Sequence, residues 1–248
     1  MRIAVIGTGR MGKAIEEVAN MRGWEVCARF NTSRPLSSIG NGGQLGGVGA
    51  GAGTVVGAGV DAVVGAVIDF SSPLVFEEHV RRCTELGFPL VVGTTGFGDR
   101  IETMRRYVED RGGSVLYSPN FSLGIAILRR ALRVSLQLVS KLDGYDVSVH
   151  EVHHAAKRDR PSGTALLLAQ DIRDAAPSRY PLDVSSSRVG SVVGEHTVRF
   201  DGPDDQIILH HSAKSRRGFA VGALEAAKWL SGKTGFFTLD DMLDEWVC

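Results

Sequence analysis

Short apolar runs alternate with amphipathic stretches over the first 120 residues, and this rhythm is the plainest guide to the architecture. Residues 3–6, Ile3-Ala4-Val5-Ile6, are apolar throughout, as in a strand buried on both faces, and Ala14, Ile15, Val18 and Ala19 follow at helical spacing. Residues 25–30, 62–70, 89–92 and 115–117 read as further strands, with helical periodicity over 73–86 and 99–111. Such alternation predicts a parallel sheet with helices on both faces. Residues 40–59 interrupt it with ten glycines and almost no charge, which reads as a mobile low-complexity excursion.

The rhythm changes after Ser122. A long helix over 123–140 precedes strand-rich sequence at 145–152, 187–193, 194–200 and 206–213, the pattern of a mixed α/β unit with a largely antiparallel sheet. An amphipathic helix over 218–230 then returns to the first domain. The fold class expected is α/β: an N-terminal Rossmann-like dinucleotide-binding domain, residues 1–121 plus 217–248, into which an α+β domain, residues 122–216, is inserted.

The chain has 248 residues, 43% of them hydrophobic, enough for an ordinary core without staples. Basic and acidic residues number 28 each, so the charge balance points to no nucleic-acid or membrane-surface partner. Cys27, Cys83 and Cys248 are an odd set without close spacing, which predicts free thiols in a reducing compartment. With neither a signal-peptide pattern nor a run of transmembrane length, a soluble cytoplasmic protein is expected.

Gly7-Thr8-Gly9-Arg10-Met11-Gly12 stands between the first strand and the first helix, the context in which a glycine motif binds a dinucleotide. Gly7 permits the tight turn, Gly9 lets the backbone approach a pyrophosphate, and Gly12 lets the helix pack on the strand; the alternative is a tight turn in an unrelated α/β unit. Asn31, after the second strand, occupies the place where such folds usually carry an acid for the ribose hydroxyls. An amide there does not repel a 2′-phosphate, and Arg10, Arg29 and Arg34 are nearby cations, so the cofactor is NADPH, NADH or both, leaning to NADPH. Loops at the carboxyl ends of strands line the ligand crevice of an open parallel sheet, so Asp69-Phe70-Ser71 and Gly93-Thr94-Thr95 should flank the cofactor. Ser118-Pro119-Asn120-Phe121 forms the natural crossing between domains.

The densest chemistry lies in residues 151–164, Glu-Val-His-His-Ala-Ala-Lys-Arg-Asp-Arg-Pro-Ser-Gly-Thr. Two histidines and a lysine can move protons or hold carboxylates, and Pro-Ser-Gly-Thr before an apolar run reads as a capped helix start whose N–H groups bind anions. A small carboxylate-bearing substrate is implied. The many histidines do not imply a metal, because neighbours on a strand point to opposite faces and no His-x-x-x-His helix is present. Two other readings compete: a dinucleotide-binding regulator without turnover, and a dehydrogenase of another small acid.

Taken together, Gly7 to Gly12, Asp69-Phe70-Ser71, Gly93 to Phe97, Ser118 to Ser122, and above all His153-His154 through Lys157 to Gly163-Thr164 resemble the 4-hydroxy-tetrahydrodipicolinate (dihydrodipicolinate) reductase family, nearly end to end. The resemblance implies NAD(P)H-dependent reduction of a cyclic dicarboxylate in diaminopimelate and lysine biosynthesis, by a homotetramer assembled through the sheets of the second domains. It implies His153 as general acid/base and Lys157 as proton donor, though the lysine's own chemistry equally suits a carboxylate clamp. Substrate contacts fall on His154, Gly163 and Thr164. Cofactor contacts fall on Gly7, Thr8, Gly9, Arg10, Met11, Gly12, Asn31, Gly93, Thr94, Thr95, Ser118, Pro119, Asn120 and Phe121. Asn31 departs from the family's usual acid, Arg160 from its usual alanine, and the glycine tract is unusual.

Overall fold

The structure, a computed structural model, describes residues 1–33, 35–36, 53–55, 62–98, 100–175 and 182–247. They form two compact units, Met1–Phe121 with Phe219–Cys248, and Ser122–Gly218.

The first unit is built on strands β1 (Arg2–Ile6), β2 (Glu25–Phe30), β5 (Ala66–Asp69), β6 (Leu90–Val92), β7 (Ser114–Tyr117) and β12 (Gly235–Thr238). They pair in parallel in the order β2-β1-β5-β6-β7-β12, so the direction of winding reverses between β1 and β5. That reversal opens the crevice in which doubly wound sheets bind ligands. Every residue of β5 is buried, which is why it lacks the alternation of a half-exposed strand. Ala4, Ile6, Val67, Leu90, Val92 and Val115 pack with Phe76, Val80 and Cys83 of helix α2 (Phe76–Glu85) and with Met104 and Val108 of helix α3 (Arg100–Asp110). Val5 turns the other way, towards helix α1 (Arg10–Met21), whose buried stripe is Gly12, Ile15, Val18 and Ala19.

Three departures from expectation have local causes. Residues 62–70 are two strands, β4 (Ala62–Val64) and β5, because Gly65 donates its N–H to Arg2 O (2.9 Å), at a point where an added Cβ would lie 3.2 Å from that carbonyl. β4 pairs instead, antiparallel, with β3 (Gly53–Val55), so the glycine tract contains a strand; its other residues, like Arg34 and Cys248, lie outside those described. β12 and helix α7 (Leu239–Val247) were not foreseen. Four residues are too few to show a period, but Thr238 and Asp241 exchange bonds across the start of α7, with Thr238 N to Asp241 Oδ2 at 2.6 Å and Asp241 N to Thr238 Oγ1 at 3.3 Å. The return helix, α6, spans Arg217–Leu230.

In the second unit, strands β8 (Asp146–His153), β9 (Asp183–Arg188), β10 (Glu195–Asp201) and β11 (Gln206–Ser212) lie in the order β11-β10-β8-β9, antiparallel except for β8 with β9. The strand expected over 187–193 is displaced to β9: Ser185-Ser186-Ser187 has little strand propensity but is held by pairing with β8, and the chain turns away through Gly190 at φ +51°. Helices α4 (Leu123–Val139) and α5 (Gly163–Ala175) cover one face through Leu128, Leu132, Leu136, Leu168 and Ile172. Asp171 joins them, accepting from Arg129 at 2.7 and 3.0 Å and from Arg133 at 3.0 Å. Among the described residues no helix is long and apolar enough to cross a membrane.

Candidate active site

Period-two alternation places the chemistry of the second unit. On β8, Val147 and Val149 face the helices, so Glu151 and His153 continue the same buried row; on β10, Phe200 and Val198 are followed inward by His196, whose register partner is Glu151. The apolar core therefore grades into a polar cluster at the end of the sheet where α5 begins.

A buried carboxylate costs several kcal/mol unless its charge is matched. Glu151 Oε1 accepts from Arg188 Nη2 (2.8 Å) and Ser162 N (3.3 Å), and Oε2 contacts His153 Nδ1. Burial opposes its ionisation, but hydrogen bonds from Ser186 and Arg188 and the charges of His153 and Arg188 outweigh burial and hold the carboxyl down at about 2. Burial lowers His153 below the ordinary imidazole value; Glu151 opposes this, while Lys157 and Arg188 add to it. His196, edge-on to His153 with ring centroids 5.2 Å apart, is pushed down to about 4, chiefly by burial. Its Nε2 meets Ser162 Oγ at 3.2 Å.

Lys157 pairs with Asp159 at 2.8 Å, and Arg188 ties down the intervening backbone by donating to Lys157 O (3.3 Å) and Asp159 O (2.5 Å). Ser162 caps α5, its Oγ accepting from Ala165 N at 3.2 Å, and the first intrahelical bond runs from Leu166 N to Ser162 O at 3.0 Å. The N–H of exposed Gly163 thus lies outside the helical ladder, with Thr164 next to it. His154 is half-buried just beyond β8, its carbonyl accepting from Lys157 N at 3.0 Å.

Glu151, His153 and His196 bring three donor atoms within 4.8 Å of one another, near enough for an ion. Spacing alone could not foresee this, because His196 comes from another strand. Glu151 is already engaged by Arg188, however, and the charges of Arg188 and Lys157 oppose a further cation.

In the first unit, the residues singled out for a dinucleotide gather at the carboxyl ends of β1, β2, β5, β6 and β7. Gly7 has φ +97°, and a Cβ there would lie 2.8 Å from Phe70 O; a Cβ on Gly12 would lie 1.9 Å from Gly7 O. Both glycines are therefore required by packing alone. Gly9 is different: nothing lies within 4 Å of its would-be Cβ, and no side chain caps α1, whose first turn also lacks acids. Thr8, Gly9 and Arg10 are exposed, Met11 is half-buried, and Thr94 Oγ1 is buried without a partner among the described residues. An open glycine at an uncapped helix start suits a pyrophosphate.

Other members of the set are committed to structure. Gly93 makes room for the Phe70 ring, 2.1 Å from its would-be Cβ, and Phe70 in turn lies against Phe121 with centroids 5.7 Å apart. Ser118 closes a turn over Pro119, its hydroxyl donating to Asn120 O at 2.8 Å. Asp69 pairs with His79 at 2.7 Å and accepts from Ser71 N at 2.8 Å. Asn31 Oδ1 accepts from Ser33 N at 2.9 Å, and Thr95 is exposed on the loop after β6. Of the two nearby cations among the described residues, Arg29 is paired with Glu16 at 2.9 Å, which leaves Arg10 for the cofactor to meet.

Models of the two parts of dihydrodipicolinate reductase match the chain, the N-terminal part at residues 1–121 and the C-terminal part at residues 124–243. The 4-hydroxy-tetrahydrodipicolinate reductase of Archaeoglobus fulgidus is 35% identical, with 98% of this chain and 100% of the relative covered. The enzyme of that name from Christiangramia forsetii is 31% identical, with 99% and 98% covered. Among solved structures, the dipicolinate-bound dihydrodipicolinate reductase of Paenisporosarcina sp. TG-14 superposes with a TM-score of 0.75 over 96% of this chain and 97% of its own, at 21% identity, a likeness of fold. With both family models matched and relatives this similar from end to end, the chain belongs to the dihydrodipicolinate reductase family.

Proposed function

We propose that this chain reduces 4-hydroxy-tetrahydrodipicolinate to tetrahydrodipicolinate with His153 and Lys157 managing the proton. The family's activity, an NAD(P)H-dependent step of diaminopimelate and lysine biosynthesis, is the activity of this chain. What most supports the residue roles is the sharing of one short segment by a buried ion-matched histidine, a lysine and a helix start suited to a carboxylate.

Hydride and one proton together replace the substrate's 4-hydroxyl by hydrogen and release water. The bound nicotinamide supplies the hydride. Gly7, Gly9, Arg10, Met11 and Gly12 would hold the dinucleotide, with contributions from Thr8, Thr94 and Thr95, while Gly93 and Ser118 to Phe121 shape the adjoining loops. Arg10 and Asn31 admit a 2′-phosphate, so NADPH is accepted at least as well as NADH. Gly163 N–H and Thr164 take one substrate carboxylate, His154 contacts the substrate, and the Lys157 ammonium serves with His153 in proton transfer. Burial chiefly keeps His153 neutral and the charges of Lys157 and Arg188 add to it; a dicarboxylate arriving beside Lys157 offsets that added charge and helps the ring take up the proton it then delivers.

The homotetramer and the cytoplasmic location belong to this reading. The face of the β8–β11 sheet away from α4 and α5 carries Ser148, His150, Thr197, Arg199 and Ile208, with Ile208 46% exposed, and suits assembly with other copies. The direct test supplies substrate in situ by condensing pyruvate with aspartate semialdehyde and follows NADPH and NADH oxidation. Oxidation that needs both precursors is expected; none, in protein that binds the cofactors, would favour a regulator or a dehydrogenase of another acid.

A further inference from the structure

We propose that Glu151 is a positioning residue that fixes the tautomer of His153: it takes the hydrogen of Nδ1 and so makes Nε2 the nitrogen that exchanges a proton with substrate. This rests on His153 being the proton-transfer group. Ionised carboxylates only accept hydrogen bonds, so the contact between Glu151 Oε2 and His153 Nδ1, two buried atoms with no other hydrogen-bond partner among the described residues, assigns the hydrogen to Nδ1. Without such a partner an imidazole in water favours the opposite tautomer, with hydrogen on Nε2. Glu151 cannot swing aside, because Arg188 Nη2 (2.8 Å) and Ser162 N (3.3 Å) hold its other oxygen. Arg188 is itself fixed by the carbonyls of Ser187 (2.7 Å), Lys157 (3.3 Å) and Asp159 (2.5 Å), so one guanidinium sets both the histidine's orienting group and the loop bearing the lysine.

A second, independent observation concerns Nε2. The backbone of Gly194 is not left-handed, so conformation does not demand glycine there. A Cβ at 194 would lie 2.9 Å from His153 Nε2 and 3.2 Å from Cδ2. Glycine therefore keeps uncrowded the nitrogen that Glu151 leaves to react. The neighbouring His196 has its own Nε2 engaged by Ser162 Oγ at 3.2 Å. Proton flow then balances simply: neutral His153 with hydrogen on Nδ1 gains a proton at Nε2, gives it up as hydride reaches the substrate, and returns to the same tautomer while Glu151 stays ionised throughout. The charged and titratable groups facing the ring are Glu151 of β8, Lys157 of the loop after β8, Arg188 of β9 and His196 of β10.

The test combines nitrogen-15 spectra of histidine-labelled enzyme with steady-state kinetics across pH. In wild type at pH 8, His153 should be neutral with hydrogen on Nδ1. In Glu151→Gln, kcat should fall by about a hundredfold, KM should change far less, and the pH at which His153 protonates should drop. Wild-type hydrogen on Nε2, or a Glu151→Gln enzyme with unaltered kcat and pH profile, would overturn the proposal. Should that variant not fold, Gly194→Ala crowds Nε2 and leaves Glu151 in place; turnover should fall in a folded protein, and unchanged turnover contradicts the assignment of Nε2. His153→Ala separates the two readings, since full turnover there would remove His153 itself from the mechanism.

Discussion

An amide at position 31 changes what the adenosine end of the cofactor meets. Asn31 carries no charge to repel a 2′-phosphate, and a carboxylate in its place would stand against two or more negative charges, which at a few ångströms near a protein surface is worth about 1–4 kcal/mol. Asn31→Asp should therefore raise KM for NADPH roughly tenfold or more and leave KM for NADH within about threefold; an unchanged ratio would take Asn31 out of cofactor selection. His153, Lys157, Gly163 and Thr164 were legible because they lie in one segment with a helix cap. Arg188 and His196 were not, being some 30 to 45 positions away and brought in only by register, His196 opposite Glu151 and Arg188 opposite His153. Period-two reading of β10 inward from Phe200 and Val198 was the available signal for His196.

Elements were readable where length or punctuation was generous. The glycine turn, α1 and the buried parallel strands announce themselves, since β1 and β5 must be apolar on both faces and Gly12 is forced by the closeness of Gly7 O. β9 was misplaced because a serine run forms a strand only through its neighbour, and β12 because four residues give no period. The helix packing makes its own prediction. A methyl group at position 12 meets a carbonyl oxygen at 1.9 Å, so Gly12→Ala must push α1 away from the strand end. Dinucleotide binding should weaken by about tenfold or more, while far-ultraviolet dichroism stays that of the wild type. Wild-type affinity would show that the start of α1 does not hold the cofactor.

For the whole molecule, the buried polar cluster ties function to acid stability. His196 is lowered from 6.5 to about 4 and Glu151 from 4.5 to about 2. Both values are depressed on folding, so unfolding takes up protons. The contribution of His196 is complete above its unfolded value and is lost as pH falls towards 4; that of Glu151 is complete above 4.5 and is lost towards 2. Between pH 7 and pH 4, stability should drop by something on the order of 3 kcal/mol on account of His196, seen as a falling urea midpoint; a flat midpoint would mean that the cluster is solvated. Light scattering should give four times the 26.6 kDa chain mass, whereas a monomer mass would leave the outer face of the β8–β11 sheet without its proposed role. If proton delivery resides in His153 and cofactor binding in the glycine turn, His153→Ala and Arg10→Ala should fail differently in the coupled assay with pyruvate and aspartate semialdehyde. In His153→Ala, kcat should fall by about a hundredfold with cofactor affinity kept, and Arg10→Ala should show the reverse. Equal losses of both quantities in either variant would contradict that division of roles.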